Sequence, residues 1–171
     1  MSEFYPAIHQ LLNQHLRADN FYVVLVDHET GVFSLEYFAD EKDQLDTNDL
    51  SAADFVNGLT GYVVRTKKML LCDEQRFQQL LQQGDIRSQG TPCHHWLGIP
   101  LNRGRQLIGV MVVQIYDNSY HYQQRDVDLL TAIAGHTVTA IDRVKSRELL
   151  EQTVRERTRQ LQNINHSLQR E

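Results

Sequence analysis

The chain has 171 residues, 41% of them hydrophobic and 23% charged, with a net charge of −5 when its eight histidines are neutral. That length suits one domain plus an extension, and the acidic balance argues against a surface built for nucleic acid. No stretch approaches the roughly 20 apolar residues of a membrane span, the opening MSEFYPAIHQLL lacks the basic-then-apolar order of a signal peptide, and two cysteines make no disulfide framework, so a cytoplasmic location is expected.

Pro6 to Arg17 carries Ala7, Ile8, Leu11, Leu12 and Leu16 at helical spacing, which predicts a helix with one apolar face. Phe21 to Val26 reads as a buried strand, and Asp27 to Gly31 as a turn. Val32 to Phe38 returns as a second strand. Strict alternation there puts Val32, Ser34, Glu36 and Phe38 on one face and Phe33, Leu35 and Tyr37 on the other. Asp40 to Asp49 is acidic and unpatterned, so a solvated loop is expected. Ser51 to Lys67 predicts a helix capped by Ser51 with Asp54 three residues on, broken into two pieces by Gly58 and Gly61. Met69 to Cys72 is a short strand, and Asp73 to Gln83 a polar helix closed by Gly84. Ile86 to His95 is a loop.

Trp96 to Asp117, WLGIPLNRGRQLIGVMVVQIYD, is the stretch to which the rest can be referred. Two apolar runs flank Asn102-Arg103-Gly104-Arg105, whose glycine suits the positive φ of a short hairpin loop. A near-continuous apolar strand is covered on both faces, so this hairpin should sit in the middle of a sheet.

Nothing from Gln123 to Glu171 breaks a helix except Gly135. Val127, Leu130, Ala134, Val138 and Ile141 form a wide apolar face suited to a sheet. Further on, Leu150, Val154, Arg157, Leu161, Ile164 and Leu168 follow heptad spacing, with Arg157 the one polar intruder. That narrow seam predicts a homodimer in which the helix pairs with its own copy, most simply in parallel. The division expected is a globular part over 1–145 and a coiled-coil linker over 146–171, with more protein beyond its end.

The order of elements, with four motifs in sequence, resembles a GAF domain. The motifs are Asn57-Gly58-Leu59-Thr60-Gly61-Tyr62-Val63-Val64, Trp96-Leu97-Gly98-Ile99-Pro100-Leu101, Leu107-Ile108-Gly109-Val110-Met111, and Tyr122 to Asp128 followed by Leu129-Leu130. The resemblance spans about Pro6 to Lys145. It implies an α+β fold, an antiparallel central sheet with helices on both sides, and a small-molecule sensor rather than an enzyme. Val154-Arg155-Glu156-Arg157-Thr158-Arg159-Gln160-Leu161 is similar to the helix that joins bacterial sensor domains to a GGDEF diguanylate cyclase or a histidine kinase. An output module of that kind, most simply the cyclase, is therefore expected in the full polypeptide as a covalently linked partner.

The resemblance places an unidentified ligand between the sheet and its covering segments, and it names no cofactor. Candidate lining residues are Phe38, Tyr62, Cys93, His95, Trp96, Gln114 and Tyr116. Gln114 lies in a buried strand and needs a hydrogen-bond partner, most simply a neighbouring loop. The Tyr62 and Tyr116 hydroxyls are expected to reach solvent. Cys93-His94-His95 offers metal-ligand types, yet three adjacent residues rarely converge on one ion, and Cys72 and His121 would have to join through the fold. Bilin-binding GAF domains attach at a Cys-His pair, but well before the strand, whereas Cys93 lies five residues before Gly98. GAF-type free methionine sulfoxide reductases need reactive and resolving thiols, and no cysteine occupies Leu59-Thr60-Gly61. His136 reads as a packed helix histidine. A dimerisation module without ligand is the other reading of the fold.

Overall fold

The computed structural model describes residues 3–44 and 55–168, with side chains through residue 166. The expected cap by Ser51 and Asp54 lies outside the described residues. The chain divides into two compact units, Met1–His136 and Thr137–Glu171.

The first unit is built on five antiparallel strands in the order β2-β1-β5-β4-β3. They are β1 (Asn20–Val26), β2 (Phe33–Ala39), β3 (Leu70–Asp73), β4 (His95–Arg103) and β5 (Gln106–Ile115). The helices described in full are α1 (Phe4–Asn13), α2 (Leu59–Thr66), α3 (Glu74–Gln83) and α4 (Gln124–Leu168). The β4–β5 hairpin turns at Gly104, whose φ of +60° suits glycine. β5 runs between β1 and β4 and is buried from Leu107 to Ile115, as a central strand covered on both sides must be. Pro100 falls beyond the last residue of β4 that pairs with β3, Gly98, so its missing N–H leaves no ladder bond unmade on that side.

Register decides the two faces. Cys72 pairs with Trp96, Trp96 with Gln114, and Gln114 with Asn20, so these side chains share one face. Two residues along, Leu70, Gly98, Val112 and Tyr22 continue that face. β2 departs from the expected alternation. Val23 pairs with Tyr37 and Val24 with Leu35, leaving Glu36 as an extra residue in a β-bulge. The bulge reverses the side-chain phase, so Phe33, Leu35 and Phe38 all pack against the same core cluster while Tyr37 stacks with Tyr5 and lies against Phe21 at a tilt. The even division of β2 into two faces is thereby corrected.

α2 and α3 cover the face carrying Trp96. Leu59 and Val63 of α2 and Leu80 of α3 join Tyr22, Val24, Val110 and Val112 in one core. Such near-complete burial stabilises by about 1.5–3 kcal/mol per large apolar side chain. α3 starts where the Asp73 carboxylate accepts the Arg76 backbone N–H at 2.7 Å and ends at Gly84 in the left-handed region. α1 lies on the other face, with the His9 ring 5.3 Å from that of Phe21.

α4 opens with Asp126, buried to 1% exposure, accepting the Gln123 backbone N–H at 2.8 Å and the Tyr120 hydroxyl. Its Val127, Leu130, Ile133 and Ala134 are buried. His136 is exposed rather than packed, because it falls on the side of the helix away from Ile133 and Ala134. In the second unit Leu149, Leu150, Val154, Leu161 and Ile164 are all at least 55% exposed. Among the described residues no helix is long and apolar enough to cross a membrane.

Candidate functional site

Trp96 leads the side-chain arrangement on the α2–α3 face. It is 2% exposed, and its indole lies across Gly98, where a Cβ would collide with the ring. The Trp96 Nε1–H donates to the Tyr22 hydroxyl at 3.2 Å, and that hydroxyl is 3.0 Å from Thr60 Oγ1 on α2. β4, β1 and α2 are thus joined by one chain of buried hydrogen bonds. Burial pushes the Tyr22 phenol well above its ordinary pKa, so it stays protonated and keeps both roles.

Gln114, next to Trp96 in the sheet, has the loop partner that its burial demands. Its Nε2 donates to Asp40 at 2.6 Å and to the Tyr116 hydroxyl at 3.0 Å. The Tyr116 hydroxyl donates in turn to both Asp40 oxygens at 2.8 Å. It is therefore turned inward, against the expected solvent exposure, with the residue only 8% exposed. Asp43 receives the Thr91 hydroxyl at 2.6 Å and the Thr91 backbone N–H at 3.1 Å. Asp40 and Asp43 were expected to be plain loop residues, yet they tie the segment after β2 to β5 and to the loop before β4.

The cover is fastened from above. Gly61 of α2 approaches Phe55 and Val56 so closely that a Cβ would strike their carbonyl oxygens. The Arg65 guanidinium donates to the carbonyl of Val56 and to that of Asp85, both at 2.6 Å. The Arg87 backbone N–H donates to the Asn57 carbonyl at 2.7 Å. The loop after α3 is therefore clamped to the segment leading into α2.

Between the sheet and this cover lies a cavity of about 490 Å³. Its apolar wall includes Tyr22, Phe38, Phe55, Phe77 and Trp96, while Lys42, Asp43 and Arg87 bring charge to it. That size and lining suit a small organic molecule.

Of the residues proposed from sequence, Phe38, Cys93, Trp96 and Gln114 line the cavity. Tyr62, His95 and Tyr116 do not. Tyr62 packs against the outer side of the core cluster, and Tyr116 acts behind Gln114. His95 faces away, its ring 4.4 Å from that of His121. Burial, with His121 adding to it, lowers the His95 pKa, and among the described residues its Nε2 has no hydrogen-bond partner. His94 Nδ1 is 2.9 Å from the Glu74 carboxylate. Among the described residues no three His, Cys, Asp or Glu side chains are arranged to hold a metal ion. Desolvation pushes the Cys72 and Cys93 thiols up to about 12, the reverse of an activated thiolate. The sequence reading missed Asp40, Asp43, Thr60, Arg65 and Arg87. The available signal was a buried Gln114 demanding a partner beside an acidic run leaving β2.

A family model described as GAF domain matches residues 1–142. No curated protein sequence matches the chain significantly. Solved structures do match it in fold. The GAF domain of a phosphoenolpyruvate-protein phosphotransferase from Coxiella burnetii superposes with a TM-score of 0.62 at 19% identity, covering 82% of this chain and 81% of that one. The GAF domain of a two-component sensor histidine kinase from Bacillus halodurans gives 0.61 at 14% identity, over 85% and 95% of the two chains. A type II free methionine-R-sulfoxide reductase from Thermoplasma acidophilum gives 0.60 at 15% identity, over 81% and 89%.

Proposed function

The chain belongs to the GAF family, and from that premise we propose that it is a regulatory, non-enzymatic sensor of a small molecule. The ligand occupies the cavity under α2 and α3, and its presence biases two arrangements of a paired C-terminal helix. The sensor comprises residues 1–145 and the signalling helix 146–171. The helix relays to an output module, for which the resemblance of Val154 to Leu161 favours a GGDEF diguanylate cyclase. The observation that carries this reading is the aromatic-walled cavity of about 490 Å³, whose cover is fastened by Arg65 rather than collapsed onto the sheet. The exposed Leu150, Val154, Leu161 and Ile164 support the dimer, because a seam at heptad spacing is satisfied by a second helix.

Native mass spectrometry before and after denaturation tests this reading. A dimer with extra mass that is lost on denaturation is the expected result. A monomer would overturn the relay through a paired helix.

A second reading, a dimerisation module with no ligand, shares the same helix seam. A dimer that carries no added mass and binds nothing in a metabolite screen would favour it. Reduction of free methionine sulfoxide is opposed by the raised pKa of both thiols.

A further inference from the structure

We propose that the cavity takes a small planar aromatic carboxylate, its ring against the aromatic wall and its carboxylate toward Lys42 and Arg87. This inference rests on reading the cavity as the ligand site and specifies what the site selects.

The wall supplies the first half. Tyr22 has its ring centroid 5.9 Å from that of Phe38 and 5.9 Å from that of Phe55. Phe77 and Trp96 complete the aromatic lining. The polar handles of this wall are spoken for, since the Trp96 N–H goes to Tyr22 and the Tyr22 hydroxyl pairs with Thr60. What remains toward the cavity is ring surface, which favours stacked or edge-on aromatic contact. A sugar or a short polar acid would leave this surface unmatched.

The charge supplies the second half. Lys42 and Arg87 line the cavity and are exposed; the Lys42 ammonium rests 4.7 Å from the centre of the Tyr116 ring at the cavity edge, and among the described residues neither cation lies within ion-pair distance of a carboxylate. Arg87 is held in place by its backbone bond to Asn57. Asp43 also lines the cavity, but its oxygens already accept the Thr91 hydroxyl and N–H and face the Tyr116 hydroxyl at 3.4 Å. Among the described residues, two cations against one carboxylate leave the lining one positive charge in excess. A monoanion balances that excess; an amine adds to it, and a phosphate monoester overshoots it. Arg and Lys bind carboxylates through charge-assisted hydrogen bonds, about twice as strong as neutral ones.

The test uses four probes with related flat or aromatic bodies: trans-cinnamate, cinnamyl alcohol, cinnamylamine and phenyl phosphate. Binding is followed by calorimetry and by the indole N–H resonance of Trp96, the chain's one tryptophan. Cinnamate should bind on the order of tenfold tighter than the alcohol, the increment of a single charge-assisted contact, and should shift the Trp96 signal. Arg87→Gln combined with Lys42→Gln should abolish that preference, while Arg87→Lys should retain most of it. Alcohol or amine binding as tightly as cinnamate, or a preference that survives the double substitution, would overturn the carboxylate assignment while leaving a ligand cavity in place. Tighter binding of phenyl phosphate would overturn the charge match. If no probe moves the Trp96 signal, the aromatic carboxylate inference falls, while the native mass spectrometry decides separately whether the cavity holds another ligand.

Discussion

The Tyr116 hydroxyl donates to both carboxylate oxygens of Asp40 at 2.8 Å, joining the residue after β5 to the residue after β2. The two are 76 positions apart in sequence. Gln114 donates to the same carboxylate, and the Lys42 ammonium sits 4.7 Å from the centre of the Tyr116 ring. Asp40 is therefore a hub whose donors come from β5 and from its own turn, where the Lys42 and Asp43 backbone N–H groups also reach it.

Tyr116→Phe removes the hydroxyl and leaves the ring. Asp40 keeps its other donors, so the loss should be moderate, about 1–2 kcal/mol in urea denaturation. Burial and the neighbouring Asp40 raise the Tyr116 pKa, so the phenol stays protonated throughout the range in which proteins fold. The effect should accordingly not vary between pH 7 and pH 9. An unchanged midpoint would show that the Tyr116 hydroxyl contributes nothing to stability.

Gly98→Ala places a methyl group under the Trp96 indole, where no space exists. Either the indole tilts, breaking its bond to Tyr22, or β4 shifts. Overpacking of this kind costs about 1–3 kcal/mol. Because Trp96 is the one tryptophan, its fluorescence reports the displacement directly. A wild-type spectrum with wild-type stability would contradict the packing described for Gly98.

The hairpin, the strand ends and the long helix were legible because each depends on neighbouring residues. Leu107 to Ile115 is apolar almost throughout, and Asp73 and Gly84 bracket α3 by local cap chemistry. The β2 faces were not legible, because the bulge at Glu36 is set by its pairing with Val23 and Val24. At the site, Trp96 and Gln114 could be picked out as large or polar groups in buried strands. Tyr62 and His95 looked equivalent to them in sequence, but the helix rotation of α2 and the start of β4 turn them elsewhere. Arg65 donates to backbone carbonyls and Arg87 lines the cavity, and neither relation leaves a sequence pattern.

Arg65→Met tests the clamp on the cover. It keeps an unbranched side chain for packing and removes the donors to Val56 and Asp85. Arg65 is exposed, so the stability loss should be small, about 1 kcal/mol. The larger effect should be local, with faster amide exchange at Arg87 than at Val112 on the sheet. Equal protection of Arg87 in both proteins would mean that the cover is held by packing alone.

His95 predicts a pH dependence. Its pKa lies below the ordinary 6.5 because burial, His121 and His94 disfavour the imidazolium more than Asp73 and Glu74 favour it. Below pH 6.5 the unfolded chain takes up this proton before the folded one does. Stability therefore falls as pH drops from 6.5 toward the folded pKa, then levels off. His95→Gln removes that contribution, so the fall in Tm between pH 7 and pH 5 should be shallower than in the wild type. Parallel curves would show that His95 is not the group responsible.

Arg157 occupies a seam position between Val154 and Leu161, four residues before the latter, on a stretch of α4 whose apolar side chains are exposed. A guanidinium at such a position weakens a coiled coil, since it must leave the seam or lose solvation. On the proposed reading of a paired helix, that weakness keeps two packings close in energy, which a relay requires. Arg157→Leu should therefore tighten self-association, by on the order of tenfold in Kd by analytical ultracentrifugation. In a full-length protein it should also hold the output in one state regardless of ligand. Leu161→Glu should act oppositely and yield monomer. If Arg157→Leu leaves association unchanged while Leu161→Glu abolishes it, the dimer stands, but Arg157 is not the element that keeps it switchable.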